Sequence, residues 1–170
     1  MNSAALLADS FGRVREVVHE AVEGLTVEAL TARVDPDANT VAWLVWHLTR
    51  IQDDHLADAF DTGQLWSSDG WSAHFGLPFP DRATGYGQTT AQVGEVRVPA
   101  DLLLGYHDAV HARTVDLVSH VTDADLDRVV DTSWDPPVTL GVRLVSVIAD
   151  DLQHAGQAAY VRGVVERRGG

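Results

Sequence analysis

Apolar residues return every three to four positions in four long stretches of this chain, the pattern of helices that bury one face. The first stretch covers about residues 3–24, with Leu7, Phe11, Val14 and Val18 in phase and Gly24 as its stop. The second, about residues 41–60, turns Val41, Leu44, Val45, Leu48 and Ile51 toward a core, with Asn39 or Thr40 as its cap. The third runs over about residues 100–121. The fourth, about residues 140–166, carries Val147, Ile148, Leu152, Ala155, Ala158 and Ala159 as an apolar stripe. Short extra turns are expected after Thr26 and over 123–127, and loops over 35–40 and 131–137.

Between the second and third stretches the periodicity stops for residues 61–99, which hold six glycines, three prolines and two tryptophans. A connection of this length is usually functional or crosses the fold. Its aromatics, Trp66, Trp71, Phe75, Phe79 and Tyr86, point to a packed crossing segment. The alternation in Glu95-Val-Arg-Val is too short and isolated to add a sheet. Four long amphipathic helices with one long crossover predict an all-α four-helix bundle, in one domain over residues 1–170.

Composition narrows the function. Apolar residues make up 45% of the chain, but no uninterrupted run approaches a membrane span. A net charge of −13 argues against a nucleic-acid partner, which calls for a basic patch. The one basic cluster, Arg162 to Arg168, closes the last helix, where cations suit the helix dipole. With no cysteine there is no disulfide, thiolate ligand or cysteine nucleophile. The N-terminus lacks the basic start of a secretory signal, so a cytoplasmic location is expected.

Chemistry enters where polar residues interrupt the apolar faces. Asp150 and His154 lie four apart on the fourth helix and face the same way. A carboxylate and an imidazole are costly to bury unless something pairs with them, and a metal ion would do so. His47 on the second helix shares a face with Leu44 and Ile51 and completes a set of His47, Asp150 and His154. Bundles build metal sites in this way, from facing helices. Two imidazoles and one carboxylate suit a catalytic divalent ion with open positions, and admit Zn, Ni, Fe or Mn. Asp151, three residues before His154, is a rival to Asp150. Asp54, His55, His107 and Gln157 are candidates for orienting the ligands or moving protons. His107 and His111 form a second four-apart pair, read as a solvated face, a rim of the same pocket or alternative ligands. His19, His74 and His120 read as surface or loop residues.

The Trp-His-Leu run around His47, the aromatic crossover and the Asp150-x-x-x-His154-Ala-Gly-Gln segment resemble the DinB-like superfamily. The likeness is greater to its actinobacterial branch that includes mycothiol-dependent maleylpyruvate isomerase. That resemblance implies an up-down-down-up bundle and a metal held by His47, Asp150 and His154. The family usually has His or Glu where this chain has Asp150, one methylene shorter than Glu. The C-terminal domain of the isomerase is not expected here. The resemblance further implies a metal-dependent S-transferase or isomerase using a low-molecular-weight thiol, with mycothiol as co-substrate and a small electrophile as partner. The alternatives are a non-catalytic metal- or small-molecule-binding module and a metal-assisted hydrolase. Apolar helix faces and exposed tryptophans are compatible with a homodimer.

Overall fold

The computed structural model of the chain describes residues 1–169. Helix α1 (Ser3–Val22) starts at Asn2, whose side chain accepts from the Ala5 amide at 2.9 Å. Its cap is Glu23, and Gly24 turns the chain away at φ 78, a conformation that glycine adopts without steric penalty. A short α2 (Val27–Leu30) follows, capped by Thr26. Helix α3 (Val41–Ala59) is capped by Thr40, whose hydroxyl accepts from the Trp43 amide at 3.1 Å. Of the two cap residues the sequence allows, Thr40 does the work.

The crossover folds into three short helices, α4 (Leu65–Ser68), α5 (Trp71–Phe75) and α6 (Thr90–Val93). Trp66 and Phe75 are buried and Trp71 and Phe79 pack against the core, while Tyr86 stands out at 92% exposed. Helix α7 (Ala100–Ser119) leads through a 3₁₀ turn (Asp123–Asp127) into a small antiparallel hairpin, β1 (Val129–Asp131) and β2 (Val138–Thr139). The hairpin pairs Val129 with Thr139 and carries the loop expected over 131–137. Strands this short show no alternation, so nothing in the sequence marks the hairpin. The last helix, α8 (Leu140–Gly169), closes the chain.

Helix α3 packs mainly on α8 and also on α7, and α1 packs on α7 and α8, giving the all-α bundle expected. Because α3 is buried on nearly every side, each polar group it carries needs an internal partner. Helix α8 differs: Val147, Ala155 and Ala158 face inward, whereas Leu152 and Ala159 face out. Val142, Val145, Leu152 and Tyr160 leave large apolar side chains on its outer side. Thus the predicted stripe on α8 is really two faces, and the inner one also carries Asp151. No described helix is long and apolar enough to cross a membrane.

Candidate metal centre

The packing of α3 against α8 brings His47, Asp150 and His154 together, with one donor atom from each inside a 4.8 Å cluster. His154 Nε2 lies 3.7 Å from Asp150 Oδ1, and the two imidazole centroids are 4.9 Å apart at 69°. Both rings have their other nitrogen engaged. His47 Nδ1 donates to the Thr84 carbonyl at 2.5 Å, and His154 Nδ1 pairs with Gln157 Oε1 at 2.8 Å. The Thr84 backbone oxygen only accepts, so His47 Nδ1 carries the proton and its Nε2 keeps its lone pair. That tautomer is the one a metal ligand needs.

Asp150 supplies the independent sign of fit. Its Oδ2 is buried and has no hydrogen-bond partner. A buried acceptor left alone is destabilising, and a cation at this point would satisfy it. Burial lowers the His47 pKa, only partly opposed by the bond to Thr84, so the neutral ligand form persists below its ordinary range. The donor set therefore fits a divalent ion.

Asp151, the rival, points elsewhere. It is fully buried, neither carboxylate oxygen has a partner, and burial raises its pKa well above the usual carboxylate range. One step along a helix rotates a side chain by about 100°, enough to turn Asp151 into the core while Asp150 meets His154.

Residues outside the sequence-derived set hold His47 in place. Trp43, one turn earlier, stacks on its ring at 4.6 Å and 16°, and is itself fixed by a 2.7 Å bond from its indole N–H to Gln88. The carbonyl of Thr84 comes from the crossover, where Gly85 sits at φ 100. A Cβ at Gly85 would lie 2.7 Å from His47 Nδ1, so the backbone can approach the ring only because this residue is glycine. Arg50, fully buried one turn after His47, seats this part of the crossover. Its Nε donates to the Ala83 carbonyl at 3.2 Å, its Nη2 to Gln64 at 3.0 Å, and its guanidinium lies 4.9 Å over the Trp66 ring. Asp53 continues the anchor by accepting from the Leu65 and Trp66 amides at 2.9 and 2.8 Å and from the Tyr106 hydroxyl at 2.8 Å. An arginine directly after the apolar first half of α3 was the visible signal of this anchor. Its partners are remote in sequence and were not.

The remaining candidates separate. Gln157 meets His154 directly, as given above. Asp54 accepts from Gln64 at 2.7 Å and His55 receives a 3.3 Å bond from Arg143, so both line a neighbouring cavity. His107 is neither solvated nor at this site: it is fully buried, with Nδ1 3.1 Å from the Thr49 hydroxyl and its Nε2 unpartnered. Burial pushes its pKa down to about 3. His111 is half-buried, and His19 is not a bare surface residue, since it bridges Glu23 at 2.8 Å and Asp108 at 2.9 Å. His74 and His120 are exposed, as expected.

A family model described as mycothiol-S-transferase matches residues 6–167. A crystal structure titled as the conserved protein of a locus from Enterococcus faecalis is 32% identical, covers 97% of this chain and 98% of its own, and superposes with a TM-score of 0.90. No protein of curated function matches the chain.

Proposed function

The chain belongs to the mycothiol-S-transferase family, and on that premise we propose that it transfers a low-molecular-weight thiol, of the mycothiol type, to a small electrophile at a divalent metal held by His47, Asp150 and His154. The observation that carries this reading is the convergence of three donors from two helices, with His47 in the ligating tautomer and Asp150 Oδ2 left without a partner.

Each residue has a definable task. Thr84 and Gln157 orient the two imidazoles, Trp43 stacks on the His47 ring, and Gly85 leaves room for the backbone beside it. Asp150 contributes the one carboxylate of the set, so a divalent ion held here would keep a net positive charge suited to an anionic thiolate. A divalent ion held by His47, Asp150 and His154 would supply Lewis acidity that favours the thiolate form of a thiol, whose ordinary pKa is about 8.5, and so the nucleophile that a cysteine-free protein lacks. In the transfer the sulfur–hydrogen bond is exchanged for a sulfur–carbon bond, and the electrophile's leaving group departs with the proton. The chain's part is to bind, to orient and to hold the His47 imidazole unprotonated. Zn, Ni, Fe and Mn all suit this donor set.

Cobalt-substituted protein tests the reading. Adding mycothiol should produce a sulfur-to-cobalt charge-transfer band in the near ultraviolet, and the His154→Ala variant should give none. A cobalt spectrum unmoved by any low-molecular-weight thiol would overturn thiol transfer. Thiol-independent cleavage of a chromogenic ester would favour metal-assisted hydrolysis.

A further inference from the structure

The metal donors and a polar cavity share the same two helix faces. His47 and Asp54 are seven residues apart on α3, and Arg143 and Asp150 are seven apart on α8. Seven residues return an α-helix to nearly the same face about 10 Å further along. The two helices run antiparallel here, because His47 meets His154 while His55 meets Arg143. Both steps therefore lead from the metal donors to one place. A cavity of about 670 Å³ opens there, lined among others by Asp54, Asp58, Gln64, Asp131, Trp134 and Arg143.

The chemistry of this lining is specific. Arg143 is paired with Asp131 at 2.8 Å, so its charge is already met. Its buried Nε still lacks an acceptor. Asp54 and Asp58 add two further carboxylates, which makes the cavity net acidic and unfavourable to an anion. Carboxylates accept hydrogen bonds from adjacent hydroxyls, and the indole of Trp134, 67% exposed, offers a flat apolar face. Acid side chains beside an open indole suit an uncharged, hydroxyl-rich ring. A second cavity, lined by Leu44, Leu152 and Tyr160 together with Asn39, Gln153 and Gln157, carries no charged side chain and so cannot discriminate by charge.

We propose that the Asp54–Asp58–Arg143 cavity is the subsite for the neutral polyhydroxylated body of the thiol, and that its acidic lining discriminates against anionic thiols. This assignment rests on the thiol-transfer reading and names the part of the substrate that lies away from the sulfur. Mycothiol fits that chemistry: its cysteine is acylated and joined to an amino sugar and an inositol, with no carboxylate. Glutathione, with two carboxylates, does not.

Two measurements on the full chain test it. The first is calorimetric titration with N-acetylglucosaminyl-inositol, which keeps the sugar and inositol but has no sulfur. Binding should weaken about tenfold in Trp134→Ala and in Asp58→Ala, and should stay within about twofold of wild type in His154→Ala and Leu152→Ala. Asp58 and Trp134 are exposed, so neither substitution threatens the fold. The second compares thiols on the cobalt-loaded protein by the charge-transfer band. Mycothiol should bind at least about tenfold more tightly than glutathione, and Asp54→Asn with Asp58→Asn should narrow that ratio to about threefold or less. A cobalt response to mycothiol with which the sulfur-free compound does not compete would overturn the subsite and leave thiol transfer standing. Sugar binding without any thiol response would overturn the thiol reading, and the occupant assigned here with it.

Discussion

Two pairs of polar residues, each four apart on a long helix, end in opposite circumstances. Asp150 and His154 on α8 meet His47 across the groove, and their nitrogen and oxygen donors converge. His107 and His111 on α7 diverge. His107 is sealed against Thr49, and His111 is only half-buried. The residue between them, Asp108, is held by Arg15 at 2.7 Å and by His19 at 2.9 Å. Despite partial burial, those bonds keep the Asp108 carboxyl below its usual range. Burial also pulls on His19, but its bonds to Glu23 and Asp108 carry its pKa above the ordinary value. One pair meets a third donor across a shared volume; the other keeps His107 Nε2 and His111 Nδ1 without partners, and among the described residues no third donor converges on it. Spacing is common to both. What lies opposite is not.

The sharpest break of this comparison is elemental. Wild-type protein purified without a chelating tag should carry about one divalent metal per chain, falling below about a tenth in His154→Ala. His107→Ala should leave the content unchanged. Metal that followed His107 instead would reverse the assignment of the two pairs.

Acid should separate them next. His107 has a folded pKa of about 3 against an ordinary 6.5, so the unfolded chain takes up the proton first as pH falls. Its contribution is complete above about pH 6.5 and is lost progressively as pH drops toward 3, a slope worth on the order of 5 kcal/mol across that window. Urea unfolding of metal-free protein at a series of pH values should show the slope, and His107→Gln should flatten it. An unchanged slope in the variant would mean that other groups govern acid unfolding. The metal pair responds in a different observable. Because burial lowers the His47 pKa, metal affinity should hold to below pH 6.5 before it falls, as a competition titration with a chromogenic chelator would measure.

The support around each imidazole gives smaller effects. Gly85→Ala places a methyl group against His47 Nδ1 at a positive φ, and metal affinity should fall about 10- to 100-fold by the same competition assay. Full affinity in this variant would show that the Thr84 contact does not govern the ligand. Gln157→Leu removes the partner of an exposed His154 nitrogen and should cost about tenfold or less. An effect larger than that of Gly85→Ala would invert the order of importance of the two supports.

Much of the fold could be read along the chain. Thr26 and Thr40 cap the helices they precede, Gly24 turns the chain at the end of α1, and the crossover packs Trp66 and Phe75 as its composition suggests. Of the site, His47, Asp150, His154 and Gln157 were all visible, because a polar residue in phase with an apolar face is conspicuous. Trp43, Arg50, Thr84 and Gly85 were not linked to it. Thr84 contributes only a backbone carbonyl, which any residue has. Gly85 matters for what it lacks, and Arg50 acts through carbonyls more than thirty residues away. The choice between Asp150 and Asp151 was also closed to the sequence. Adjacent carboxylates differ only in which way the helix is turned.

Local chemistry, then, determined where helices start and stop and which residues share a face, since caps, glycine and the 3.6-residue period act within a turn or two. The tertiary structure alone decided which faces meet. The inward turn of Asp151, the burial of His107 and the convergence of His47 with Asp150 and His154 all follow from how α3, α7 and α8 pack. A side chain's direction is fixed by its own helix, but its partner is fixed by whatever the rest of the chain sets against it.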